Sequence, residues 1–203
     1  MNTIVICTVH REPKVKPYIW SLDPHYSYTD DRPGIACGQT RCISGHFTGL
    51  AAYMTDETAC VIEDDCIPNT NHDWMAAIKE GNDLVLEGIT DIACLHARKN
   101  ESLPEWGLHA LTRQFEWRKP APEGTLHQEL HGTLIYVINR AAAWKFRQFD
   151  PWVTYCPIDL LMWSKNFNFL WLKQDHLNPP FIHGCGSEES ILEHPKNQQF
   201  SRV

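Results

Sequence analysis

The sequence lacks three features that would assign it to a specialised class of protein. No apolar run approaches the roughly 20 residues of a membrane-spanning helix, and Met1 to Thr3 lead directly into a strand-like segment rather than a signal peptide. Positive charge is not in excess, because 18 lysines and arginines stand against 25 aspartates and glutamates. The formal net charge of −7 gives no general attraction to nucleic acid or to an anionic membrane surface. We therefore expect a cytoplasmic protein with no membrane span.

The sequence also lacks a domain linker, an internal repeat and any Cys-x-x-Cys pair. A chain of 203 residues without such a linker is expected to form a single domain with a substantial core. Without closely spaced pairs, its eight cysteines do not predict a zinc knuckle. Several lie in apolar segments, where a reduced cysteine behaves as a small hydrophobe. We expect all eight to be reduced.

Hydrophobic periodicity predicts an α/β domain. Residues 3–9 form a continuous run rich in β-branched side chains, typical of a buried parallel strand, and residues 41–53 have the spacing of an amphipathic helix. Residues 21–40 are rich in turn formers and predict a loop. Further strands are predicted at 83–87, 92–95, 132–138 and 169–172, and further helices begin at 73 (short, to 78), 140, 158 and 187. Residues 97–130 have no sustained period and predict either a functional loop with aromatic stacking surface or an insertion packed on the core.

Three adjacent acids, Glu63, Asp64 and Asp65, follow an apolar run at residues 59–62. If the strand continued through them, Glu63 and Asp65 would share one face and Asp64 would point away. Adjacent negative charges are tolerated most easily around a cation, and hard oxygen ligands suit Mg²⁺ or Mn²⁺. A solvated acidic turn is the alternative interpretation.

Two other segments are candidates for ligand contact. The first strand ends at Thr8, Val9 and His10, and ligands of open α/β sheets bind beyond the carboxyl ends of strands. A plain strand end would explain the same residues. Near the end of the chain, Gly184 and Gly186 would let the backbone approach a phosphate closely.

In this order, these landmarks resemble the glycosyltransferases of family 25, which include lipopolysaccharide and collagen galactosyltransferases, and are similar to the glycosyltransferase domain of lysyl hydroxylases. One departure is Ser44-Gly45-His46, because the family pattern has serine and histidine adjacent. The stretches that carry the resemblance are residues 34–53, 61–65, 132–136, 157–159, 181–184 and 187–191.

The resemblance implies a GT-A fold, with a single Rossmann-like mixed sheet flanked by helices and a divalent ion, Mn²⁺ or Mg²⁺, bound to the diphosphate of a nucleotide sugar. By the same resemblance Asp65, with Glu63 or Asp64, binds the metal, and His183 matches the histidine that completes the metal site in related enzymes. A structural role is the alternative for a single histidine. The expected assignment is Glu63, Asp65 and His183 as metal ligands, with donor contacts from Thr8, Val9, His10, Asp64, Gly184 and Gly186.

Enzymes of this family invert the anomeric carbon, which implies a single in-line displacement with a carboxylate as general base. Asp159 is the first candidate because it is an acid on an otherwise apolar helix start, where burial would raise its pKa. A carboxylate that merely stabilises the helix N-terminus is the alternative. Glu188 and Glu189 are the reserve candidates, and helix capping would equally explain either.

The expected reaction transfers a hexose from a nucleotide sugar to an acceptor hydroxyl, and a UDP-sugar is the first candidate for the donor. The acceptor could be a saccharide or lipopolysaccharide, a hydroxymethylated DNA base as in phage-type DNA modification, or a protein hydroxyl. A metal-dependent phosphohydrolase or nuclease would also use clustered acids, although normally with more carboxylates. An inactive sugar-nucleotide-binding module is the third reading.

Overall fold

In the part of the chain that the structure describes, a mixed sheet of seven strands has helices on both faces. The computed structural model describes residues 1–9, 11–29, 38–99, 114–118, 130–148, 158, 167–173 and 179–183. The strands are β1 (Asn2–Cys7), β2 (His25–Tyr28), β3 (Thr58–Glu63), β4 (Cys66–Pro68), β5 (Ile92–Lys99), β6 (Trp117–Arg118), β7 (Leu130–Asn139), β8 (Phe169–Leu172) and β9 (Phe181–His183). The helices are α1 (Glu12–Ile19), α2 (Gly38–Tyr53), α3 (Trp74–Leu86) and α4 (Arg140–Phe146), with one 3₁₀ turn at Trp20–Leu22.

The strand order in the main sheet is β2-β1-β3-β7-β5-β8-β6. Strand β1 runs parallel to β2 and β3, whereas β7 lies antiparallel between β3 and β5. The carboxyl ends of β1 and β3 therefore lie side by side. Because β7 is antiparallel to β3, β7 begins at this same end of the sheet. A separate antiparallel pair, β4 and β9, forms a second small sheet. The predicted architecture, one mixed α/β sheet flanked by helices, is confirmed and is consistent with a GT-A-like fold.

Each face of the sheet has its own apolar core. Ile4, Ile6 and Val61 pack on the side of α2 and α4, whereas Val5 and Ile62 pack on the side of α1 and α3. Because side chains alternate across a strand, a strand covered on both faces reads as an unbroken apolar run. The buried parallel strand predicted at residues 3–9 is confirmed as β1, which ends at Cys7, and the apolar run at residues 59–62 lies in the similarly buried β3.

Two helices begin where capping residues predict. The Asp73 carboxylate accepts a hydrogen bond from the amide of Ala76 at 3.0 Å, and the Asn139 side chain accepts one from the amide of Ala142 at 2.7 Å. Each interaction satisfies an amide of the first turn that has no partner within the helix. The predicted starts of α3 and α4 are confirmed.

The strand predicted at residues 83–87 is wrong, because α3 continues to Leu86. Leu84 and Val85 are buried, and Leu86 is exposed, so the apolar run is part of a helical face. On the exposed face, Lys79 pairs with Asp83 at 2.8 Å, one helical turn apart. Three adjacent apolar residues were too short a run to distinguish strand from helix.

The loop predicted over residues 21–40 is wrong for two of its segments. Strand β2 pairs in parallel with β1, and α2 begins at Gly38. The sequence interpretation also missed α1, which has Pro13 in its first turn. Proline is tolerated there because the first amides of a helix have no intrahelical acceptor. Within the irregular region predicted at 97–130, β5 reaches Lys99 and the short strand β6 is present.

Five of the eight cysteines lie in the part of the chain that the structure describes (Cys7, Cys42, Cys60, Cys66 and Cys94), and none of these five forms a disulfide. Burial raises the pKa of the Cys60 thiol to about 12, so this thiol stays protonated and acts as core packing. The described helices include none with the length and apolar character needed to cross a bilayer.

Candidate functional site

Asp64 ties the turn after β1 to the end of β3. Its Oδ2 atom accepts a hydrogen bond from the amide of Thr8 at 3.0 Å, and its Oδ1 atom accepts one from Nη1 of Arg11 at 2.7 Å. Burial raises the pKa of the Asp64 carboxyl, while the Arg11 charge and the Thr8 amide oppose that rise. Asp64, the middle acid of the triplet, therefore holds the backbone amide of Thr8, and both of its carboxylate oxygens make contacts within the chain.

Glu63 ends β3 and is directed towards α2. The hydroxyl of Thr133 on β7 donates a hydrogen bond to Oε1 of Glu63. The Nε2 atom of His46 lies 3.3 Å from the same oxygen, without the geometry of a hydrogen bond. On the other side of the ring, Nδ1 of His46 is 2.8 Å from the hydroxyl of Tyr136. A fully buried imidazole thus lies between Tyr136 and Glu63.

Cys42 precedes His46 by one helical turn and completes a cluster of three donor groups. One donor atom from each of Cys42, His46 and Glu63 lies within 4.8 Å of the other two. His46 belongs to a stretch that carried the sequence resemblance, but Cys42 was not predicted as a site residue. The Cys-x-x-x-His spacing on a predicted helix could have indicated it, since residues four apart share a helix face.

Asp65 and His183 are brought to one edge of the fold by the small sheet. Asp65 is in the turn between β3 and β4 and is 8% exposed. In β9, His183 is the register partner of Cys66, the residue that follows Asp65. The backbone therefore places the predicted histidine beside the acidic triplet. Strand β3 ends at Glu63, so the alternation of faces predicted for a continued strand does not extend through Asp65.

Two of the other predicted site residues, Thr8 and Val9, lie in the described part of the chain. Thr8 is fully buried, and within the described residues its Oγ1 atom has no hydrogen-bond partner. Val9 is 70% exposed at the end of β1. Ile158, the chain neighbour of Asp159, is buried in the core on the α2 side. The predicted residues that lie outside the described part of the chain are His10, Asp159, Gly184, Gly186, Glu188 and Glu189.

No family model matches the chain, and no curated protein matches it. Several solved structures are similar. One is A197 from STIV, with 16% identity, a TM-score of 0.47 and coverage of 85% of this chain and 82% of that chain. Another is a glycosyltransferase involved in the glycosylation of the major capsid of PBCV-1, with 14% identity, a TM-score of 0.46 and coverage of 96% and 100%.

A third similar structure is apo UDP-glucose pyrophosphorylase, with 13% identity, a TM-score of 0.42 and coverage of 98% of this chain and 81% of that chain. Similarity at this level carries no information about activity or substrate. Membership of glycosyltransferase family 25 stays a prediction from the sequence.

Proposed function

We propose that this chain is a metal-dependent inverting glycosyltransferase that moves a hexose from a nucleotide sugar to an acceptor hydroxyl. A UDP-sugar is the first candidate for the donor. The observation that carries the proposal is the pairing of β4 with β9, which sets His183 opposite Cys66 and beside Asp65. This pairing lies next to the end of β3, and ligands of open α/β sheets bind beyond the carboxyl ends of strands.

Asp65 and His183 fit the divalent ion that this reaction needs. A carboxylate oxygen and an imidazole nitrogen are both donors that Mn²⁺ accepts. Of the other two acids of the triplet, Asp64 is paired with Arg11 and Glu63 is directed towards His46. When bound, such an ion neutralises charge on the leaving diphosphate.

The contacts at the carboxyl end of β1 support the donor contacts that we propose for this segment. Asp64 holds the Thr8 amide and the Arg11 side chain near the carboxyl end of β1. Val9 presents an exposed apolar side chain there. We assign Thr8, Val9 and His10 to the nucleoside, and Gly184 and Gly186 to close backbone approach to the diphosphate.

A general base is needed because a hydroxyl is a weak nucleophile near neutral pH, and such a base typically contributes about 10²–10⁴ in rate. We assign this role to Asp159, with Glu188 and Glu189 as reserve candidates. Asp159 follows the buried Ile158, and an apolar environment would raise its pKa towards the working range of a base. The acceptor classes to be compared are a saccharide or lipopolysaccharide, hydroxymethylated DNA and a protein hydroxyl.

The proposal is tested by incubating the whole chain with Mn²⁺, a panel of sugar nucleotides and each acceptor class. Release of nucleoside diphosphate and the mass of each acceptor are then measured. We expect one acceptor to gain a hexose, and the gain to disappear when the metal is chelated. Cleavage of DNA would support a nuclease instead. Donor binding without any transfer would support an inactive binding module, and no binding of any sugar nucleotide would refute both.

A further inference from the structure

We propose that Cys42, His46 and Glu63 form a second metal site, which takes a borderline-soft divalent ion such as Zn²⁺. Two of its ligands lie one turn apart on α2 and the third ends β3, so the site joins helix to sheet. Their donor atoms lie within 4.8 Å of one another. The site is distinct from the proposed Mn²⁺ ligands Asp65 and His183, and it requires no sugar nucleotide.

The His46–Glu63 contact has the separation of two ligands of one ion. Nε2 of His46 is fully buried and has no hydrogen-bond partner within the described residues, yet it lies 3.3 Å from Oε1 of Glu63. Ligands about 2.1 Å from a tetrahedral zinc are about 3.4 Å apart. A buried nitrogen without a partner is costly, and a metal ion between the two groups would satisfy it.

The groups behind these ligands have the arrangement of an outer coordination shell. With the ring proton on Nδ1 of His46 and donated to the Tyr136 oxygen at 2.8 Å, Nε2 directs its lone pair at the cluster. The Thr133 hydroxyl holds Oε1 of Glu63 from β7. Metal-binding histidines and carboxylates are typically oriented by such partners.

The donor set decides the class of ion. A thiolate, an imidazole and a carboxylate suit zinc, whereas Mg²⁺ prefers oxygen ligands alone. Three protein ligands leave a fourth position for water or another small ligand. The Glu63 side chain is 22% exposed, so solvent reaches the cluster from its side.

Cobalt is the probe for the first test, because a thiolate bound to Co²⁺ gives a charge-transfer absorption in the near ultraviolet. The whole chain is stripped with a chelator and titrated with Co²⁺ without sugar nucleotide. We expect a band that saturates at one ion per chain, is displaced by Zn²⁺ and is lost in Cys42→Ser. The matched control is Cys94→Ser, because Cys94 is buried and its thiol donates to the carbonyl of His96. The cobalt band of the Cys94→Ser variant should be unchanged.

Two further variants separate this site from its surroundings. Thr133→Val should weaken Zn²⁺ binding by about 10–100-fold, the usual effect of removing an outer-shell partner. Asp65→Asn should leave the cobalt band intact, since Asp65 belongs to the other proposed site. Loss of the band in Asp65→Asn would contradict the assignment of two separate sites.

A second measurement uses only the unmodified chain and so does not depend on the folding of any variant. Thiol alkylation is followed by peptide mass mapping with and without Zn²⁺. We expect Zn²⁺ to slow alkylation of Cys42 at least tenfold. Absence of the cobalt band in the unmodified chain, its survival in Cys42→Ser, or an unchanged rate at Cys42 would each overturn the zinc site. None of these results would bear on glycosyl transfer, which is measured separately.

Discussion

Arg11 and Asp64 form an ion pair that is almost completely shielded from solvent. Their Nη1 and Oδ1 atoms are 2.7 Å apart, and the two side chains are 4% and 8% exposed. The pair joins the turn after β1 to the turn after β3, and Asp64 also accepts the amide of Thr8. Removing one member of such a pair leaves an uncompensated buried charge.

We expect Arg11→Met to destabilise the fold by about 3–5 kcal/mol at neutral pH. Burial already raises the pKa of Asp64 above its ordinary value of 3.8, and loss of the guanidinium raises it further. A carboxyl whose folded-state pKa is raised contributes stability below its unfolded pKa, and that contribution is lost as pH rises through the folded value. The penalty for Arg11→Met should therefore shrink as pH falls towards 3.8.

Urea unfolding followed by circular dichroism across this pH range measures the penalty. The control is Lys16→Met, whose partner is Glu12 and whose side chain is 61% exposed. It should cost less than about 1 kcal/mol. A penalty for Arg11→Met that is independent of pH would contradict a role through the charge of Asp64.

Tyr136→Phe removes the hydroxyl next to Nδ1 of His46 and should destabilise the metal-free protein by about 1–3 kcal/mol, because a buried nitrogen loses its partner. Tyr26→Phe is the matched control. The hydroxyl of Tyr26 is buried and has no hydrogen-bond partner among the described residues, so its loss should be neutral or stabilising. Thermal unfolding in the presence of a chelator compares the two variants, and equal effects would refute the role given to Tyr136.

Gly49→Ala should destabilise the fold by about 1–3 kcal/mol, although alanine is the better helix former. A Cβ atom at Gly49 would lie 2.8 Å from Cγ2 of Ile4 and 3.0 Å from Cβ of Ser27. The control is Gly81→Ala on α3, where the nearest atoms are 3.4 Å away. That change should stabilise by up to about 1 kcal/mol. Melting temperatures that move in the same direction would contradict the close packing of α2 on β1 and β2.

Asp65→Ala should abolish metal-dependent binding of the nucleotide sugar, because it removes the carboxylate assigned to the Mn²⁺ ion. Calorimetry with a UDP-sugar in the presence and absence of Mn²⁺ measures this. Glu57→Ala is the control, since Glu57 is 74% exposed and lies at the opposite end of β3. Retained affinity in Asp65→Ala would remove this residue from the metal site.

Asp159→Asn should retain donor binding but lose about 10²–10⁴ in the rate of transfer. The amide keeps the size of the side chain but cannot accept a proton. Glu188→Gln and Glu189→Gln are compared in the same assay of acceptor mass. Near-normal turnover in Asp159→Asn, with loss in one of the other two, would move the role of base to that glutamate.

The buried strands and the capped helix starts could be predicted because their causes are local. Alternation, β-branched runs and an acid or amide before an apolar face are all readable from neighbouring residues. The end of α3 was mistaken because Leu84 to Leu86 have no periodicity of their own at that length. Strand β2 was missed because its stability comes from pairing with β1, which no local pattern records.

The candidate site could likewise be predicted only in part from the local sequence. The acidic triplet is recognisable from its composition, but the separate contacts of its members depend on the fold. Arg11 reaches Asp64 because α1 follows β1, and Thr133 reaches Glu63 because β7 runs antiparallel beside β3. Neither partner has a sequence signature that points to the acid it contacts.

Because of the antiparallel strand β7, we expect different local stabilities at the two proposed metal sites. It pairs on both sides, with β3 and β5, and its residues Thr133 and Tyr136 support Glu63 and His46. Amides of a strand paired on both sides typically exchange with solvent only through openings whose free energy approaches that of global unfolding. Asp65 and His183 instead lie at a small sheet that has two strands in the described residues, and two strands alone have little stability of their own. We therefore expect the amides of β4 and β9 to exchange with solvent before those of β7, which hydrogen exchange followed by mass spectrometry checks.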